Sequence, residues 1–165
     1  MDTKTIIVTL VTDRTQADVE RVKALATKGF AAMTADEQAE WLAGMKGTYN
    51  ASDMNRVGTA LNYLAARLSS ICGRSITWTA KTDWAVTGII TASQAEAYRK
   101  QVQSIRDALA YPAGTPDAPQ LGRLTYTDAN NIERILKLCE DLIINVAKSF
   151  RHTGAAECAA GGLLT

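Results

Sequence analysis

The stretch SDMNRVGTALNYLAARLSSICG, residues 52–73, carries the most regular pattern in the chain. Met54, Val57, Leu61, Leu64, Leu68 and Ile71 recur at spacings of three and four, which is the repeat of one apolar helix face. The pattern predicts a helix opening near Ser52 or Asp53. Gly73 is placed to end it, because glycine adopts the left-handed turn that follows many helices without a Cβ penalty. A stripe of that length stays buried only if neighbouring segments cover it.

Upstream lie two shorter helical segments. Thr34 and Glu37 form a Thr-x-x-Glu capping box, in which each side chain satisfies the other's exposed backbone N–H. The short helix that follows carries Trp41, Leu42 and Met45 and is expected to stop at Gly47. Thr15 followed by Asp18 reads as another helix start, with Val19, Val22, Leu25 and Ala26 as its stripe and Gly29 as its stop. Before these, TKTIIVTLVT (3–12) is dense in β-branched residues and predicts a strand with Ile6, Val8 and Leu10 on one face.

Downstream, Ile76, Trp78 and Ala80 alternate with Ser75, Thr77, Thr79 and Lys81, which predicts a half-buried second strand. Thr91 and Gln94 then open a helix with Ala95, Tyr98, Val102, Ile105 and Leu109 on one side. All three prolines fall within 111–124, so that segment is an extended connector. A last helix starts near Thr125 or Thr127, with Ile132, Ile135, Leu136, Leu142, Ile143, Val146 and Phe150 as its face. Residues 153–165 are small and glycine-rich and read as a flexible tail.

The expected fold is therefore α+β and predominantly helical, with about five helices and a small two- or three-stranded sheet. It forms a single domain over 1–152 with the connector inside it. Residues 5–11 carry apolar groups on both faces and no charge, which fits either an edge strand that self-associates with a partner or a strand buried under the protein's own helices.

At 165 residues the chain is long enough for one domain with a sizeable core, and 47% apolar and 21% charged residues are ordinary globular values. A formal net charge of +1 gives no general drive toward nucleic acid or an anionic membrane. The N-terminus MDTKTIIVTLVTDR lacks the layout of a signal peptide, and no stretch reaches the roughly 20 apolar residues of a membrane helix. Cys72, Cys139 and Cys158 are widely spaced without a CxxC pair. Cys72 and Cys139 sit among apolar helical residues, where free cysteine packs as a small hydrophobe.

The search for chemistry is mostly negative. His152 is the one histidine and lies near the end of the last helix, which suits the helix dipole better than general-base work. Asp36 and Glu37 fall in a first helical turn, and Glu140 and Asp141 are expected to be solvated. No zinc, calcium, phosphate-loop or nucleophile-elbow motif is present. No catalytic, metal-binding or cofactor-binding residue is assigned, and no cofactor is expected. One stretch is unusual for a surface, Trp41 and then Tyr49-Asn50-Ala51-Ser52-Asp53-Met54-Asn55-Arg56, where aromatics, amides and an arginine crowd a helix–helix turn as they do at interfaces. Asn50 or Asp53 also suits a helix cap.

That same region carries a resemblance. Residues 13–68 contain DRT before a short helix, Gly29-Phe30, Met33-Thr34, Glu40-Trp41-Leu42-Ala43-Gly44, Lys46-Gly47, Tyr49-Asn50 and Asp53-Met54-Asn55-Arg56-Val57. KTDW (81–84), the Thr91–Gln94 helix start and LTYTDANNIERIL (124–136) follow in order. In these motifs the chain resembles a module of tail-associated structural proteins of phages and prophages of Gram-positive bacteria, over most of residues 5–150. The resemblance implies a non-enzymatic virion component of a tail baseplate or fibre-attachment region. Its partners would be other tail or baseplate subunits and further copies of itself, with neither membrane nor nucleic acid among them. It would be made in the host cytoplasm and located in the virion tail. A phage-encoded regulator that binds a host protein or DNA is the alternative. Candidate interface residues are Ile6, Val8, Trp41, Tyr49, Asn50, Asp53, Asn55, Arg56 and Trp84.

Overall fold

A computed structural model describes residues 3–161, with side chains described over 6–150. The helices are α1 Thr3–Val8, α2 Gln16–Lys28, α3 Ala35–Ala43, α4 Ala51–Cys72, α5 Ala92–Asp107 and α6 Tyr126–Gly161, with short 3₁₀ turns at Phe30–Ala32 and Leu121–Arg123. Among the described residues none lies in a strand, so the fold is all-α and the expected two- or three-stranded sheet is absent from it.

The first expected strand is α1. Ile6 and Ile7 are half-buried against the core and Leu10 is fully buried, whereas Val8 is 74% exposed. Ile6 and Ile7 face the core from α1 and Leu10 reaches it just after the turn that ends the helix, whereas an alternating strand would have turned Val8 inward with Ile6 and Leu10. A helix satisfies its own backbone groups, while a strand without a partner leaves them open, and this outweighs a weak β-branched preference. The self-association expected through that strand edge loses its basis.

The second expected strand keeps its alternation and lacks a ladder. Ile76, Trp78 and Ala80 turn inward while Ser75, Thr77, Thr79 and Lys81 are exposed. The segment is extended and lies over helices. Side-chain amides take the place of a neighbouring strand. Asn62 of α4 donates to the Ala80 carbonyl at 3.0 Å and accepts from its N–H at 2.7 Å. Asn55, seven residues earlier on the same face, does the same to Trp84 at 3.0 and 2.6 Å. Gly58 lies between them, and a Cβ there would stand 2.2 Å from the Lys81 carbonyl oxygen. Only glycine lets the segment approach this closely.

Helix starts follow the capping signals. Thr15, Thr34 and Thr91 cap α2, α3 and α5 in complete boxes with Asp18, Glu37 and Gln94. The cap of α4 is Asn50, which accepts from the N–H groups of Ser52 and Asp53 while Asp53 accepts from Asn50, so the helix opens at Ala51. Gly73 ends it in the left-handed region, at φ 63°. α3 stops at Gly44 rather than Gly47.

Arg56 meets Glu133 and Tyr63 meets Glu140, each pair 77 residues apart. A constant difference means that α4 and α6 run parallel. α5 starts beside the start of α4, where the Tyr49 and Tyr98 hydroxyls lie 2.5 Å apart. Three parallel helices need two return paths. Residues 73–91 run back over α4, and 108–125 run back along α5, where Arg106 donates to the Thr115 carbonyl and Gln103 accepts from the Ala118 N–H.

The main core lies between these helices. Val57, Leu61, Leu64 and Leu68 of α4, Val102 and Ile105 of α5, and Ile132, Ile135, Leu136, Cys139 and Ile143 of α6 are fully buried. Each large aliphatic among them contributes about 1.5–3 kcal/mol of burial. Burial also pushes the Cys139 thiol up to about 11, so it packs as an uncharged group. Phe150, expected on the buried face of the last helix, is exposed instead. α2, α3 and their 3₁₀ turn form a separate lobe around Leu25, Met33 and Met45, with Val22 and Trp41 packed on it. The helical trace of α6 continues to Gly161. The backbone of 153–161, expected within the flexible tail, is thus part of this helix; the side chains after Phe150, that of His152 among them, and residues 162–165 lie outside the described residues.

Candidate functional site

Three distant pieces of sequence meet in one buried ionic junction. Arg14 is 4% exposed and Glu133 is 0% exposed. One Arg14 nitrogen donates to Glu133 at 2.6 Å and to Asp53 at 2.9 Å, and another donates to the Val11 carbonyl. Arg56 donates to Glu133 at 3.0 and 3.1 Å and to Asp53 at 2.5 Å. Glu133 also accepts from the Val11 N–H at 2.6 Å, and Asn130 brackets the Arg14 backbone by accepting from its N–H and donating to its carbonyl. Burial works against the Arg56 charge, but Glu133 and Asp53 outweigh it and hold its pKa above the usual arginine value.

Two arginines and two carboxylates cancel in charge here. Their oxygens are saturated with donors, which leaves them poorly placed to take a proton from a substrate. Beside the junction, Arg14 lies over the Tyr49 ring, 5.5 Å from its centroid. Burial raises the Tyr49 and Tyr98 phenols above the ordinary tyrosine value, and both remain neutral. The geometry is that of a lock joining the N-terminal segment, α4 and α6. Among the described residues no group of three or more His, Cys, Asp or Glu side chains could hold a metal ion.

A second feature lies on the surface next to it. A cavity of about 260 Å³ opens beside Trp41, Leu42, Met45 and Val86. An adjoining one of about 240 Å³ is lined by Tyr49, Met54, Trp84 and Ile90, and Val86 lines both. No charged side chain lines either cavity. Leu42 is 75% exposed, and Val86 and Ile89 are each 93% exposed. Residues 85–95 (AVTGIITASQA) contain no charge, in a chain of 21% charged residues.

The expected interface residues separate into two groups. Asn50 caps α4, Asp53 and Arg56 belong to the ionic junction, and Asn55 holds the Trp84 backbone, so these four make contacts inside the molecule. Ile6 packs on the main core, and Val8 points outward. Trp41, Tyr49 and Trp84 are half-buried and line the two uncharged cavities.

Arg14 and Glu133 did not stand out from the sequence as a pair, nor did Asn62 or the 85–95 run. A usable signal was present in α6. Glu133 and Glu140 stand seven apart on the face shared by Ala129, Leu136 and Ile143, and acids among core positions require partners. Glu140, expected in solvent, is buried between α4 and α6, where Tyr63 donates to it at 3.3 Å and Arg67 pairs with it at 3.1 Å. Burial raises its carboxyl above the ordinary value despite Arg67 and Tyr63.

No helix among the described residues is long and apolar enough to cross a membrane. No family model, curated protein or solved structure matches the chain.

Proposed function

We propose that this chain is a non-enzymatic structural component of a phage or phage-like tail, in the baseplate or fibre-attachment region, acting through contacts with neighbouring subunits. The observation that carries the reading is the ordered set of motifs through which the sequence resembles such proteins. Its spatial arrangement adds support. Arg14 comes from the DRT motif, Asp53 and Arg56 from DMNRV, and Asn130 and Glu133 from LTYTDANNIERIL, and all meet in the ionic junction. KTDW reaches the same helix through the Trp84–Asn55 pair. Motifs far apart in sequence thus form one internally bonded unit, as expected when a shared pattern encodes a shared scaffold. The uncharged patch at the α3–α4 link supports a contact-making role, because exposed apolar groups around a groove mark interaction surfaces.

The test is mass spectrometry of purified particles from a host that carries the gene, together with the gene's position. The expected result is the chain in tail fractions and its gene among tail genes. A chain absent from particles and encoded among early regulatory genes would overturn the reading in favour of a host-acting regulator.

A further inference from the structure

We draw no further inference here: the strongest candidate, the exposed apolar turn at 85–90 with the uncharged groove beside Trp41 and Met45, carries nothing, because nothing in the structure shows what covers it.

Discussion

Along α4 the chain buries Val57, Leu61, Leu64 and Leu68 completely, whereas α2 and α3 together bury a single side chain, Leu25. Met33 and Met45, from the links, complete the small cluster of that lobe. The body is held by apolar area and by polar locks sealed within it. The lobe relies on capping boxes and exposed ion pairs such as Arg21–Glu40 and Lys28–Glu37, of a kind worth about 0–1 kcal/mol each. It also depends on its two attachments. At one end is the Arg14 junction. At the other Lys46 pairs with Asp13, and Gly47 passes so close to α2 that a Cβ would stand 2.2 Å from the Asp18 carbonyl oxygen. Two regions of one chain therefore have unequal claims to independent stability. The uncharged patch lies where they meet.

The strongest way to break the contrast is to disable the lock that serves both regions. Glu133→Gln leaves the buried Arg14 and the half-buried Arg56 facing one carboxylate, and breaking a buried pair such as Arg14–Glu133 costs about 3–5 kcal/mol. Denaturant titration followed by circular dichroism should show that loss in the global transition.

Core truncations sharpen the contrast. Leu64→Ala should lower global stability by about 2–5 kcal/mol. Leu25→Ala removes a comparable side chain from the lobe. It should be felt first as local opening, with amide exchange accelerated over 16–47 and protection in α4 and α6 nearly unchanged. Equal loss of protection throughout would show the two regions to be one cooperative unit.

Next in size is the amide clamp on the extended return path. Asn62→Ala leaves the buried Ala80 N–H and carbonyl without partners, at about 1–3 kcal/mol for each unsatisfied group. Gly58→Ala should also destabilise, because the clash with the Lys81 carbonyl exceeds the roughly 0.5–1 kcal/mol that alanine gains over glycine inside a helix. Exchange should rise over 75–84 in both variants while the α2–α3 lobe keeps its protection.

The smallest effect is a pH dependence confined to the body. Burial raises the Glu140 carboxyl, so the folded chain binds that proton more tightly than the unfolded chain does. Between the unfolded and folded pKa values this contribution to stability falls as pH rises. Glu140→Gln removes it. The stability of the variant relative to wild type should therefore increase with pH across that window and level off above it. A flat difference curve would show that Arg67 and Tyr63 fully offset the burial of the carboxylate.

Helices were legible because their signals are local. The Thr15, Thr34 and Thr91 boxes, the stripe from Met54 to Leu68 and the glycine stops at Gly29 and Gly73 are read within a few residues, and the structure follows them closely. Residues 3–12 and 75–81 were misread for opposite reasons. In the first, β-branched composition concealed a short helix that turns Ile6 and Ile7 inward and Val8 outward. In the second the alternation was real and only the inferred sheet was absent, because Asn55 and Asn62 satisfy backbone groups that a neighbouring strand would otherwise take.

The amino-acid sequence by itself determined where α2 to α6 form, which of their faces are apolar and that the prolines mark an extended connector, since periodicity, capping and backbone restriction act over a turn or two of chain. Tertiary structure alone decided that α4, α5 and α6 run parallel and that two extended paths return across them. It also decided that Arg14 reaches Glu133 across 119 residues of sequence and that uncharged residues from two links share one surface. Those outcomes depend on which groups are left to satisfy one another after the chain has folded back on itself, and no local pattern encodes that pairing.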